Sequence, residues 1–242
     1  MKPDGLYQVK KEDAEKLITV LSECFCKDPL YCNLIPEKEV RARALPEIFS
    51  CDVNEFLETC DVYADSPEIN GIMIVSDETE PYNPLKYYAT EAYYQIKTDS
   101  FLIKEDPSLH TLWNFIRGKD YLNEEWTNDL NQDKRLHIVY FAVRPQMQGH
   151  GIASKMMDAV LKYADKHQLL TSLETHNEKN VAMYRHYGFE LFEIVQKHFE
   201  LKQYCMVRKV PKQAECGQTT KTEPEHYLPF QAGLKSLKQQ KA

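Results

Sequence analysis

"VRPQMQGHGIASKMM", residues 143–157, sets two glycines and a proline, and no acidic residue, between an apolar run and an amphipathic one. The run before it, "LHIVYFAV" at 136–143, reads as a strand, and after it Ile152, Met156, Ala159, Val160 and Tyr163 recur on one face of a helix. Glycine at 149 and 151 opens backbone conformations closed to other residues and lets an anion approach the main chain closely. A helix that begins there presents unpaired N–H groups and the positive end of its dipole. The chemistry indicated is pyrophosphate binding, although a bare tight turn accounts for the same two glycines. Two other phosphate loops fail on spacing: there is no third glycine for G-x-G-x-x-G and no Gly-Lys-Ser/Thr.

Outward from this unit the rhythm is regular on both sides. Residues 5–10 read as a short strand, followed by a helix with Ala14, Leu17, Ile18, Leu21 and Phe25 along one face. Residues 37–60 read as a second helical stretch, kinked or broken near Pro46, because proline lacks the amide proton the helix needs. "DVYADS" (61–66) and "NGIMIVSD" (70–77) form an expected hairpin around Pro67, Asn70 and Gly71. Residues 78–133 break the pattern with scattered aromatics and prolines, and read as two or three helices inserted as a cap. "LLTSLET" (169–175) is the next strand, "KNVAMYRHY" a short helix ended by Gly188, and "FELFEIV" and "FELKQYCMVRKV" are the closing strands. After Val210 the composition turns to Lys, Gln, Thr, Glu and Pro, which suggests a mobile tail over 211–242 with Tyr227, Leu228 and Phe230 as local docking points.

Composition removes several classes of function. A chain of 242 residues with 43% hydrophobic content can bury a substantial core. A net charge of -7 argues against a nucleic-acid partner, which calls for a basic stripe. No apolar stretch approaches the roughly 20 residues that span a bilayer, and the first residues have no signal-peptide core, so the expectation is a cytoplasmic protein with no membrane partner. The seven cysteines are odd in number and contain no Cys-x-x-Cys pair, so they read as reduced thiols. Cys24, Cys26 and Cys32 lie close in sequence, but Cys24 and Cys26 fall on different helix faces; apolar filler is preferred and no metal is expected.

Two separate segments carry a family resemblance. Gln146-x-x-Gly149-x-Gly151 after a strand resembles the Gln/Arg-x-x-Gly-x-Gly/Ala signature of the GNAT (Gcn5-related) N-acetyltransferases. "LETHNEKNVAMYRHYGFEL" (173–191) resembles that family's second half, most nearly in puromycin-type and related small-molecule acetyltransferases. The resemblance implies an α/β (α+β) GNAT fold over residues 1–210: a central mixed, mostly antiparallel twisted sheet flanked by helices, with a helical insertion at 78–133 between strands three and four. It further implies acetyl-CoA as cosubstrate. The main-chain N–H groups around Gln148, Gly149, His150, Gly151, Ile152 and Ala153 would cradle its pyrophosphate, and Val143 would pair with the pantetheine arm. Asn177 stands where the family places a CoA-contacting asparagine, and equally where a helix needs a cap. His150 is open between an anion contact and a filler of the variable position.

Acetyl transfer to an amine needs a neutral nucleophile, stabilisation of an oxyanion and a proton for the leaving thiolate. Tyr184 occupies the family's tyrosine position and is the expected general acid, the alternative being a half-buried core tyrosine. Glu174, at the end of the strand that should diverge from "LHIVYFAV", is the expected base or amine-holding carboxylate, with His137, Tyr140 and His176 as alternates. If the inserted aromatics fold over the acceptor side, they would suit an aromatic or amphipathic amine; otherwise they form the insertion's own small core. The expectation is an N-acetyltransferase acting on a small-molecule amine by direct attack in a ternary complex. The competing readings are a protein-amine acetyltransferase and a catalytically silent acyl-CoA sensor. A homodimer is open, since end strands of this fold can pair across subunits.

Overall fold

A computed structural model of the chain describes residues 1–81, 83–132 and 134–210. The expected tail with Tyr227, Leu228 and Phe230, and Cys216 within it, lies outside the described residues, as does Tyr82. The chain opens with strand β1 (Tyr7–Gln8), then helices α1 (Ala14–Phe25), α2 (Pro29–Leu34) and α3 (Lys38–Thr59). The expected hairpin follows as β2 (Asp61–Ala64) and β3 (Gly71–Asp77). Helices α4 (Pro84–Glu105) and α5 (His110–Arg117) and 3-10 turns at Lys119–Tyr121 and Glu125–Leu130 lie between β3 and β4 (Arg135–Val143). The remainder is α6 (Ile152–His167), β5 (Leu170–Thr175), α7 (Glu178–His186), β6 (Glu190–Val195) and β7 (Gln203–Arg208).

The seven strands make one sheet in the order β1-β2-β3-β4-β5-β7-β6. Every neighbouring pair is antiparallel except β4 and β5, which are joined through α6 and run parallel. The sheet is therefore mixed and mostly antiparallel, as expected. One face carries α1, α2 and α3, whose Leu17, Leu21, Leu34, Leu45 and Phe49 form a core with Ile72, Ile74 and Ala142. The other carries α6 and α7, whose Met156, Val160, Val181 and Tyr184 pack on Met73, Ile138, Leu173 and Met206. The alternation of Ile72, Met73, Ile74 and Val75 between the two clusters is the period of a strand buried on both faces.

Local chemistry explains most element ends. Asp28 caps α2 by accepting the Leu30 N–H at 2.9 Å, with Pro29 in the first turn where its missing N–H costs nothing. Asn83 caps α4 in the same way, ahead of Pro84. One expectation is corrected: α3 is not broken at Pro46 but continues through it to Thr59. Leu45, Ile48 and Phe49, all buried, hold that turn against α1 and the sheet, so tertiary packing outweighs the lost hydrogen bond. The insertion departs from expectation in placement. Helix α4 lies along α3 and α5 lies beside α2, while the turn at 125–130 lays Trp126 on the sheet against Cys205, Leu170 and Val207. Its rings thus form neither a cap of aromatics nor a separate core: Tyr121 and Trp126 join the main structure, and Tyr88, Tyr93 and Trp113 stay exposed.

At Gly71, α6 packs directly on the sheet. A Cβ at that position would stand 2.6 Å from Ile152 Cγ2 and 2.8 Å from Met156 Sδ, so the helix rests on bare backbone. Gly71→Ala is expected to lower unfolding free energy by about 1–3 kcal/mol, the usual cost of overpacking a core. Urea denaturation checks this, and an unchanged midpoint would show that α6 is free to shift.

Candidate active site

The geometry begins with two strands that part. β4 pairs with β5 only from Arg135 to Ile138, against Leu170 to Leu173, and from Val139 onward β4 continues without β5 beside it. The β3 register skips a residue at the same point, Ile74 facing Tyr140 and Val75 facing Ile138, so Val139 is bulged. A bulge increases local twist and bends its strand, here away from β5. The result is an opening between the C-terminal half of β4 and residues Glu174 and Thr175, which pair only with β7.

The glycine turn lies at the end of β4. Gly149 has φ +81° and Gly151 φ +78°, a region other residues rarely adopt, and a Cβ built on either meets nothing within 4 Å. These glycines serve conformation and access, not packing. The first bond of α6 is Lys155 N–H to Gly151 O at 3.0 Å. Among the described residues, the N–H groups of Gly149, His150, Gly151, Ile152 and Ala153 have no partner. Gln148 folds back to donate its Nε2 to Val143 O at 3.2 Å, and His150 Nδ1 meets Gln148 O at 3.1 Å, so these side chains brace the turn.

Tyr184 extends from α7 into the cluster of Leu173, Phe189 and Tyr204, with 6% of its surface exposed. Its hydroxyl has no hydrogen-bond partner among the described residues, and burial, with smaller contributions from the Glu174 and Asp28 charges, raises its pKa so that it stays protonated at neutral pH. Asn177 caps α7, its Oδ1 accepting the Lys179 N–H at 3.2 Å, while its Nδ2 has no partner among the described residues. Tyr187 ties the two helices of this face together, its hydroxyl bonding Ser154 Oγ at 3.1 Å.

Glu174 faces away from Tyr184. Leu173 faces the Tyr184 cluster, so strand alternation turns the next side chain to the opposite face. There Glu174 Oε2 accepts from Trp126 Nε1 at 3.2 Å and pairs with His137 Nε2 at 3.2 Å, with Glu124 Oε2 3.7 Å from the same ring nitrogen. His137 is 1% exposed and its Nδ1 meets Ser172 Oγ at 2.9 Å. Burial alone would lower the His137 pKa, but Glu174 and then Glu124 outweigh it and the net shift is upward, in favour of the protonated ring. Glu174 and His137 are thus held together as a pair beneath Trp126.

The third alternate, Tyr140, sits just past the bulge in a ring cluster with Phe25, Phe49 and Phe56. Its hydroxyl donates to Asp52 Oδ2 at 2.9 Å and shares a 2.8 Å hydrogen bond with Tyr31, linking α2, β4 and α3. Burial pushes the Asp52 carboxyl up to about 7, with the Tyr140 bond opposing, and pushes Asp28 up to about 6. Sequence reasoning missed both aspartates; Asp28-Pro29 is a legible cap signal, while nothing in the pattern of α3 sets Asp52 apart. Next to α2 lies a cavity of ≈310 Å³ whose lining includes Asn33, His176, Glu178, Glu200 and Tyr204. The structure thus brings Tyr184, Asn177, His176 and the glycine turn around the parted strands, while Glu174 pairs with His137 and Tyr140 bonds Tyr31 and Asp52.

A model of the acetyltransferase (GNAT) family matches residues 73–189. Among solved structures, the chain is similar to a histone acetyltransferase HPA2 and related acetyltransferase from Corynebacterium glutamicum, at 16% identity over 89% of this chain and 100% of that one, with TM-score 0.59. It is also similar to arylalkylamine N-acetyltransferase 2 from Aedes aegypti, at 12% identity over 85% of this chain and 98% of that one, with TM-score 0.52. At these identities the likeness is one of fold. No curated protein matches the chain in sequence.

The Asp52 site predicts a pH dependence of stability. Its folded-state pKa, near 7, lies above the usual 3.8, so its favourable contribution is complete below about pH 4 and is lost as pH rises through 7. Asp52→Asn keeps the acceptor oxygen for Tyr140 without the charge. It should gain stability on the wild type by about 1–3 kcal/mol between pH 5 and pH 8. Parallel denaturant curves at the two pH values that run with constant separation would refute the assignment.

Proposed function

We propose, from the match of residues 73–189 to the acetyltransferase (GNAT) family, that the chain is an acetyl-CoA-dependent N-acetyltransferase that modifies a small-molecule amine. The observation that carries the reading is the run of five partnerless N–H groups from Gly149 to Ala153 at the mouth of the parted strands. Successive backbone donors at a helix N-terminus suit a pyrophosphate, and the empty space over both glycines admits one. The half-buried end of β4 at Val143, whose carbonyl accepts from Gln148 Nε2, lies beside the path of the pantetheine arm, and Asn177 Nδ2 offers a further donor beyond its capping role.

The chemistry follows from what this opening holds. A neutral amine attacks the thioester carbonyl, the tetrahedral oxyanion collapses, and the C–S bond breaks. The thiolate takes a proton from the Tyr184 hydroxyl, which burial keeps protonated, and Tyr184 recovers it from the acetylated nitrogen. No covalent enzyme intermediate is needed. Glu174 acts in this scheme as a clamp that fixes the end of β5 through Trp126 and His137.

A small amine fits the concavity of ≈310 Å³ beside α2 that Asn33, His176, Glu178 and Tyr204 line. In the silent-sensor reading, Tyr184 would have no reason to keep an unbonded hydroxyl.

Acetyl-CoA and CoA are expected to raise the thermal midpoint, whereas ATP and NAD leave it unchanged. Gly151→Asp, which places a carboxylate in the anion cradle at a positive-φ position, should abolish the shift with the far-UV spectrum retained. Tyr184→Phe should keep the shift and lower kcat about 100-fold against any amine the wild type acetylates. Equal acetyl-CoA affinity in a folded Gly151→Asp protein would falsify the cradle.

A further inference from the structure

We propose that His176 is the general base of the reaction, acting through Nδ1 on an amine held in the adjoining cavity, and that Gln203 is the positioning residue that sets its tautomer; this rests on the acetyltransferase reading above.

His176 follows β5 directly, one residue before the cap of α7, on the open side of the parted strands. Its Nε2 lies 3.0 Å from Gln203 Oε1. Gln203 is fully buried, and its Nε2 is turned toward Cys205 Sγ at 3.5 Å, so its carbonyl oxygen is the atom offered to the ring. A carbonyl oxygen only accepts, so the imidazole must donate from Nε2. In a neutral ring this leaves Nδ1 unprotonated, and Nδ1 has no partner among the described residues. Tyr121 meets the ring at a centroid distance of 6.0 Å and an interplanar angle of 70°. Together these contacts fix one tautomer and one orientation, which is the arrangement a general base needs.

The same ring lines the ≈310 Å³ cavity between α2, the start of α7 and the segment joining β6 to β7. Tyr204 connects that cavity to the acid, since it lines the cavity and packs in the cluster that holds Tyr184. The titratable groups facing this space are Glu178, Glu200, Lys202 and Tyr204, with Glu174 behind the ring and Asp28 beyond Pro29. The carboxylates favour entry of a protonated amine. Burial lowers the His176 pKa, and the Gln203 bond and the Glu174 charge only partly offset this, so the ring is neutral at pH 7. Nδ1 takes one proton from the acceptor ammonium, the freed nitrogen attacks the thioester, and the imidazolium releases its proton to solvent through the cavity. The thiolate proton comes separately through Tyr184, so the sum is one acetamide, one CoA thiol and one proton.

The test uses the full chain, ¹⁵N-labelled for ring NMR and unlabelled for initial rates with acetyl-CoA and a panel of aliphatic and aromatic primary amines. The wild-type His176 ring should show the Nε2–H tautomer at pH 7 and titrate below 6.5. In rates, kcat should rise with pH through that same value. His176→Ala should lower kcat about 100- to 1,000-fold and erase this acid limb, with the acetyl-CoA thermal shift intact. Gln203→Glu, which puts a carboxylate against Nε2–H, should move the limb to higher pH with little change in KM for acetyl-CoA.

Ring NMR decides the matter if the glutamate variant does not fold, and it requires no acceptor. A ring protonated on Nδ1 at pH 7, or an acid limb that survives in His176→Ala, overturns the proposal while leaving the acetyltransferase reading in place. A wild type that neither binds acetyl-CoA nor acetylates any amine overturns both.

Discussion

Everything in this molecule depends on the point at which β4 and β5 stop being partners. Two parallel strands bond from Arg135 to Ile138 and then separate, with the bulge at Val139 supplying the bend. Exposed strand backbone inside a sheet is unfavourable unless something pairs with it. The glycine turn, the Tyr184 hydroxyl and the concavity lined by His176 all lie around this one interruption.

The two faces of the sheet divide the work. On the α6 and α7 face, an apolar cluster sets Tyr184 and holds α6 against Gly71, so the glycine turn is aimed by packing remote from it. On the opposite face, buried charge is handled by networks: Tyr31, Tyr140 and Asp52 in one, His137, Glu174, Glu124 and Trp126 in the other. Such networks contribute little net stability, because desolvation offsets most of the attraction, but breaking one leaves an uncompensated group. Their effect is to fix where strands β4 and β5 stand on either side of the opening. The second network also assigns a place to the insertion, whose Glu124 meets His137 on β4 and whose Trp126 holds Glu174 near the end of β5.

Much of this architecture was legible in the chain. Period-2 and period-3.6 patterns marked nearly every strand and helix, and Gly149 and Gly151 marked the strand-to-helix turn because a positive φ leaves few other choices. Pro46 misled, since its local cost was overruled by the burial of Leu45, Ile48 and Phe49. Glu174 stands at the end of β5 as its sequence position indicates, but strand alternation turns its side chain to the face where it pairs with His137, and that pairing is visible only once β4 lies alongside.

By itself, then, the sequence determined the order of elements, the mixed sheet and the glycine turn, because each is dictated by residues within a few positions of one another. Only the tertiary structure decided which polar side chains meet the opening and which are consumed in the interior. His176 and Gln203 are 27 positions apart, His137 and Glu124 come from different segments, and Asp52 reaches Tyr140 across 88 positions. Those pairings are set by how the helices and the insertion close on the two faces. A carboxylate or imidazole takes its chemical role from its desolvation and its neighbours, and both are properties of the packed molecule.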